Sequence, residues 1–273
     1  MRRASKIAFF TQVKGWGTSL CRAEKIAEEL GVPCDPPVET ITREHIIVMV
    51  KTVIPEAVRR AGKAYCDIID GSSSARKKLQ GVAGVDIIAM TPQCADEARK
   101  LYPDRKVIWL PHQHCNDERR IRPRRAVSVI GYNGSPEGFP LVDWKWFAGM
   151  AEDAGFKVVR QYDTVCRKRL CEFYLGVDIA VSFRDRWRPM KGPAKLNNAA
   201  SFGIPTVAKP EPSFLYNYTK RGHFMPAQTI TEMVNACILL RANERLYDKV
   251  ANKAWRDAQK YHISKVVRYY RYL

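Results

Sequence analysis

Short apolar runs alternate with helix-patterned segments from one end of this chain to the other, and that alternation restricts the fold more than any other feature. KIAFFT, residues 6–11, reads as a buried strand, and the polar loop QVKGWGTSL leads into an amphipathic helix, CRAEKIAEELG, closed by Gly31. Strands follow at HIIVMVK, YCDIID, DIIAMT and KVIWLP, with helices between them at PEAVRRAGK, ARKKLQGV and CADEARKLY. Strands and helices in strict turn mean right-handed βαβ units on a parallel sheet, which places the fold in the α/β class.

A charged, proline-containing segment, CNDERRIRPRR at residues 115–125, interrupts the series, after which VSVIGYNG begins a fresh strand and turn. The alternation then resumes through DWKWFAGMAEDAG, KVVRQ, TVCRKRLCEFYLG, DIAVSF, AKLNNAASFG and PTVAK, and residues 229–273 are α-rich. The 273 residues exceed one ordinary domain and fit two of about 130. The expectation is two Rossmann-like domains, 1–120 and 126–273, with a C-terminal helical segment and a cleft between facing carboxyl edges as the active site.

Composition narrows the class of partner. A net charge of +18, spread over both halves rather than held in a tail, attracts polyanions such as nucleic acid, an anionic membrane surface or lipid-linked phosphates. The opposing reading is a solvated basic surface that keeps the protein in solution. Eight cysteines without a C-x-x-C pair read as free thiols of a reducing compartment. No run reaches the roughly 18 apolar residues that cross a bilayer, and MRRASKIAFFTQ lacks a signal-peptide core, so a cytoplasmic protein is expected. The cluster His112-Gln113-His114-Cys115 stands alone, and no metal is expected there.

Residues 176–214 carry the strongest chemical signal. An apolar run ending at Phe183 empties into Arg184, Arg186, Arg188 and Lys191, and a helix bearing Lys195 and Asn198 leads through Gly203 and Pro205 into a second buried run. Cations at the carboxyl end of a strand, next to a helix N-terminus with its unpaired N–H groups, suit a phosphorylated ligand. Lys191, Pro193, Lys195, Asn198, Ala199, Ala200, Gly203, Pro205 and Val207 together resemble the donor-binding half of nucleotide-sugar glycosyltransferases of the GT-B architecture. Many retaining members of that family carry, at the place of Asn198, a Glu that binds the donor ribose. The resemblance implies two Rossmann-like domains, no cofactor, and a nucleotide sugar, UDP-linked, as donor.

The resemblance also distributes roles. Lys195 would stabilise the negative charge that grows on the departing diphosphate, with Arg184 and Lys191 as further phosphate contacts. Gly131 and Gly134 in IGYNGSPEG would allow backbone to approach the diphosphate, while Asn198 and Glu211 would reach ribose, phosphate or sugar. In the first half, Lys14, Gly15, Trp16 and Gly17 of the first βα turn, with Ser72 opposite, would line the acceptor side. Asp70 at the end of YCDIID would deprotonate the acceptor hydroxyl if the enzyme inverts, or instead cap the following helix. His112 and His114 are alternative bases. In this family the last helix often packs back on the first domain, which would suit the RYYRYL end; the competing reading of that end is a nucleic-acid or membrane surface.

G-x-S-x-G, a P-loop and D-x-D are all absent, which lowers esterase, ATPase and metal-dependent transferase chemistry. Size and charge together resemble bacteriophage DNA-modifying glycosyltransferases, with a hydroxymethylated pyrimidine in DNA as acceptor. Two other readings stay open: transfer to lipopolysaccharide, capsule or other membrane-surface glycans, and a non-enzymatic nucleic-acid-binding protein.

Overall fold

The computed structural model of the protein describes residues 6–15, 17–69, 73–162, 166–184, 190–217 and 223–273. Two compact units result, one of Met1–Gln113, Arg188–Gly192 and Ile263–Leu273, the other of His114–Trp187 and Pro193–His262. Residues 114–125 therefore belong with the second unit and the last helix with the first.

The first unit is built on a parallel sheet in the order β1-β2-β3-β4-β5, with β1 at Lys6–Thr11, β2 at His45–Val50, β3 at Lys63–Asp67, β4 at Val85–Ala89 and β5 at Val107–Trp109. A short helical turn α1 (Gly17–Ser19), a π-turn (Leu20–Glu24) and α2 (Lys25–Leu30) follow β1. Gly31 closes α2 at φ 67°, a left-handed conformation that costs glycine little. The chain then bridges Cys34 to Phe9 on the outer side of β1 before crossing to β2, so winding runs both ways from β1.

β2 shows why a run such as HIIVMV can be apolar throughout. Ile47 and Met49 face the helices α3 (Pro55–Arg60), α4 (Ser73–Gln80) and α5 (Pro92–Leu101) through Ala57, Leu79 and Ala98. Ile46, Val48 and Val50 face α2 and the terminal helix α12 (Ile263–Tyr270) on the other side. A parallel strand covered on both faces loses the alternation that marks a half-exposed one. α12 docks through Val266, Val267 and Tyr270, with the Tyr270 ring 5.6 Å from that of Phe9.

The second unit has the strand order β10-β9-β8-β6-β7, all parallel. The strands are β6 (Val129–Asn133), β7 (Lys157–Gln161), β8 (Ile179–Ser182), β9 (Thr206–Ala208) and β10 (Met225–Pro226). From β6 the chain winds outward through α6 (Leu141–Asp153) to β7. It then returns through α7 (Arg167–Gly176) to β8 on the other side of β6, and continues through α8 (Ala194–Ser201) and α9 (Pro212–Asn217) to the far edge. Reversal of winding opens a crevice between the carboxyl ends of β6 and β8, where open α/β sheets bind ligands. α6, α10 (Ile230–Ala242) and α11 (Glu244–Ala258) cover one face, and α7 and α8 the other.

The start of this unit is tied down by Asp178. Its carboxylate accepts from Arg122 at 2.9 Å, Arg125 at 2.8 Å and the backbone N–H groups of Ser128 and Val129 at 2.8 and 2.7 Å. Burial acts to raise its pKa, but these donors outweigh burial and hold it below the ordinary carboxylate value.

Candidate functional site

The carboxyl ends of β6 and β8 gather the second unit's polar groups. Tyr132 points from β6 toward α6, its ring set edge-on to Phe139 and close to Trp144. The Lys195 ammonium, from the first turn of α8, donates to Tyr132 Oη at 2.8 Å and lies 4.1 Å from the ring centroid. The phenol in turn donates to the Ser135 carbonyl at 2.9 Å. Burial pushes the Tyr132 phenol well above its usual value, against the opposing pull of Arg184 and Arg160, so it serves as a neutral relay between ammonium and loop.

The loop after β6 is shaped to admit this lysine. A Cβ on Gly134, at φ 145°, would sit 2.9 Å from Lys195 Nζ and from Tyr132 Oη. One on Gly138, in the 3₁₀ turn Pro136–Gly138, would sit 3.0 Å from Lys195 Nζ and 2.6 Å from Tyr132 Oη. Both glycines leave the ammonium room at the strand end. Arg160 of β7 braces the same loop, donating to the Phe139 carbonyl at 2.7 Å while its guanidinium lies 4.9 Å from the Trp144 ring centroid.

Arg184 and Glu211 come together here as an ion pair, both buried, one just past β8 and the other between β9 and α9. Two buried polar atoms mark the crevice itself: Asn133 Nδ2 and Ser182 Oγ have no hydrogen-bond partner among the described residues. Asn133 and Ser182 are the last residues of β6 and β8, two positions beyond the paired Gly131 and Ala180. Each such atom costs about 1–3 kcal/mol when unsatisfied, and a polar ligand at the strand ends would recover that cost.

Lys195, Gly134, Arg184 and Glu211 are thus the sequence-derived donor-site candidates that the fold gathers. Gly131 has a different local reason, since its Cβ would run into Val177 and lie 2.7 Å from Phe173, where α7 packs on β6. The Asn198 side chain accepts from the Cys115 N–H at 2.9 Å and hydrogen-bonds Tyr174, holding residue 115 against α7 and α8. Lys191 belongs to the first unit, where its carbonyl faces the Cys94 thiol. Tyr132 and Arg160 went unnoticed in the sequence. The one signal for Tyr132 was its place in a buried strand one residue from Gly131 and two from Gly134.

In the first unit, Lys14 is exposed, the Gly15 N–H donates to Glu24 at 2.6 Å with φ 77°, and Gly17 opens α1. Trp16, Asp70 and Ser72 lie outside the described residues. The run YCDIID forms strand only as far as Asp67, because its pairing with β2 ends there, opposite Val50. The carboxylate at that strand's end is therefore Asp67 rather than Asp70. It is fully buried in an ion pair with Arg22 at 2.6 Å, and Arg22 also donates to the Pro111 carbonyl at 2.6 Å. His112 and His114 are both buried, His114 with its ring 5.5 Å from that of His262. Burial, and then His262, push His114 down to about 3, so it is neutral at physiological pH. A recess of about 590 Å³ lined by Arg43, Arg59, Gly62 and Lys63 sits at the amino ends of β2 and β3, the edge away from ligand-binding crevices. Among the described residues no group of three or more His, Cys, Asp or Glu is placed to hold a metal ion.

No protein-family model matches the sequence, and no curated protein matches it. Solved structures do. Anabaena HepE in complex with UDP and glucose superposes with a TM-score of 0.67 at 12% identity, over 97% of this chain and 98% of that one. A glycosyltransferase from Rickettsia africae gives 0.62 at 8% identity, over 98% and 97%. A mutant of S. aureus TarM in complex with fondaparinux, alpha-GlcNAc-glycerol and UDP gives 0.65 at 11% identity over 84% of this chain. The chain spans 55% of that TarM chain. The fold is that of the GT-B glycosyltransferases. At these identities the likeness is one of fold, and chemistry has to be argued from the crevice.

Proposed function

We propose that the protein is a metal-independent glycosyltransferase that takes a hexose or pentose from a UDP-linked donor and delivers it to the hydroxyl of a hydroxymethylated pyrimidine in DNA. The observation that carries the donor half is the Lys195 ammonium, held by Tyr132 over a glycine loop at the point where the sheet reverses its winding. Breaking the bond between the anomeric carbon and the distal phosphate oxygen leaves negative charge on UDP. A fixed ammonium and the N-terminal N–H groups of α8 stabilise that charge as it develops. Asn133 and Ser182 offer polar atoms that a nucleotide can satisfy. HepE in complex with UDP and with UDP-glucose supports the choice of nucleotide.

The acceptor half rests on the net charge of +18 and on the sequence resemblance. In this reading Asp70 is the base, DNA is the partner, and the enzyme works in the cytoplasm of a bacterial host as a phage-encoded function. The acceptor base would be flipped from its stack to reach the sugar. No helix among the described residues is long and apolar enough to cross a membrane. A second reading, transfer to a membrane-surface glycan, is favoured by the alpha-GlcNAc-glycerol bound to TarM.

The test is a thermal-shift panel of nucleotides and nucleotide sugars, followed by mass spectrometry of hydroxymethylated DNA incubated with the protein and the best donor. A UDP-dependent rise in melting temperature with a hexose- or pentose-sized mass gain on DNA supports the reading. Sugar gain on a glycolipid alone transfers the case to the second reading. Tight DNA binding with no response to any nucleotide sugar would leave a nucleic-acid-binding protein without transferase activity.

A further inference from the structure

The outer face of α12 is cationic and aromatic, and no carboxylate among the described residues partners its cations. Ile263, Val266, Val267 and Tyr270 are buried against the sheet of the first unit. Lys265, Arg268 and Tyr269 face outward, and Arg271 and Tyr272 extend the same surface. Tyr272 is 88% exposed and Tyr269 43%. The chain has no Asp or Glu from Ala258 to Leu273. Among the described residues no carboxylate pairs with Lys265, Arg268 or Arg271. On other helices such cations are matched: Arg59 and Arg60 pair with Glu56 on α3, and Arg99 with Asp96 and Lys100 with Glu97 on α5.

We propose that this face binds single-stranded nucleic acid, its phosphates held by Lys265, Arg268 and Arg271 and its unpaired bases stacked on Tyr269 and Tyr272. Exposed tyrosine rings between unpaired cations are the arrangement that tracks a strand of nucleotides, because every base offers a ring face and every link a charge. Trp109, whose ring is 6.4 Å from that of Tyr269, widens the aromatic strip. An anionic membrane is the rival occupant and fits less well. A helix lying in a bilayer interface buries its apolar face in lipid, and here that face is consumed by the protein core. The inference rests on the reading of a nucleic-acid partner and is independent of the donor crevice, which lies in the other unit.

The experiment is fluorescence anisotropy of a labelled oligothymidylate, about 15 nucleotides long to cover a typical site, titrated with the full chain across a range of salt and without donor. Unmodified protein binds, and affinity falls as salt rises. Tyr269→Ala with Tyr272→Ala weakens binding about tenfold or more. Arg268→Gln with Arg271→Gln lowers the slope of log affinity against log salt by about 1.4, two phosphate contacts' worth. All four side chains are exposed, so melting temperature stays at the unmodified value and reports any misfolding. Binding left intact by both double variants, absence of binding at low salt, or retention only on phosphatidylglycerol vesicles would each overturn the proposal. A UDP-induced thermal shift in the same preparation separates this outcome from failure of the donor reading.

Discussion

Lys195 Nζ lies 2.8 Å from Tyr132 Oη and 4.1 Å from the centre of the same ring, so one tyrosine fixes both the position and the approach angle of the ammonium. Removing the charge in Lys195→Ala should lower the transfer rate by about 10²–10³, the usual loss for one preorganised transition-state contact. Tyr132→Phe keeps the ring and removes the acceptor, so a smaller loss is expected. Single-turnover rates with the fold checked by circular dichroism measure both, and full activity of Lys195→Ala would remove the donor-site assignment.

Gly134 is required by the same geometry. Gly134→Ala places a methyl group 2.9 Å from both Lys195 Nζ and Tyr132 Oη, at a φ of 145° that side chains avoid. We expect a stability loss of about 1–3 kcal/mol by urea unfolding, together with a loss of the UDP-induced thermal shift. An alanine variant that retains that shift would detach the loop from nucleotide binding.

In the first unit, Asp67→Asn should be severe. It leaves the fully buried Arg22 guanidinium without its counter-charge, which typically costs about 3–5 kcal/mol. The double replacement Arg22→Met, Asp67→Leu should recover much of that loss, because it removes the stranded charge together with its partner. Urea midpoints of the three proteins decide the point, and equal stability of Asp67→Asn and the unmodified protein would contradict it.

His114 predicts an acid sensitivity with a defined window. Burial lowers its value to about 3 in the folded chain, against about 6.5 when unfolded. Above pH 6.5 both states are neutral and His114 contributes no pH dependence. Between pH 6.5 and about 3 the unfolded state binds a proton that the folded state does not, so stability falls by about 1.4 kcal/mol per pH unit as pH drops. The slope of unfolding free energy between pH 6 and 5 should shrink in His114→Gln by this one-proton amount. An unchanged slope would mean that another group titrates there.

Much of the fold was legible because its strands are short, apolar and separated by patterned helices. HIIVMV and VSVIGYN had to be buried, and Gly31 had to stop a helix, whatever else the chain did. Lys195, Arg184, Glu211 and Gly134 were legible as candidates because they follow strands, and strand ends are where an α/β sheet offers binding groups. The run YCDIID reads as strand throughout, whereas β3 stops at Asp67, because periodicity marks the apolar centre of a run while pairing with the neighbouring strand decides where it stops.

Local order, covalent reach and charge are properties of neighbouring residues, so the amino-acid sequence alone determined the α/β class, the two-part organisation and the cationic character of the segment after Phe183. Pairing across 63 positions between Tyr132 and Lys195, or 45 between Arg22 and Asp67, depends on which strands lie side by side. Only the tertiary structure decided those contacts, as it decided that Arg184 meets Glu211 and that Asn198 serves the chain segment at Cys115. The physical reason is that burial and sheet order set the distances over which charge and hydrogen bonding act, and neither is written in the spacing of residues along the chain.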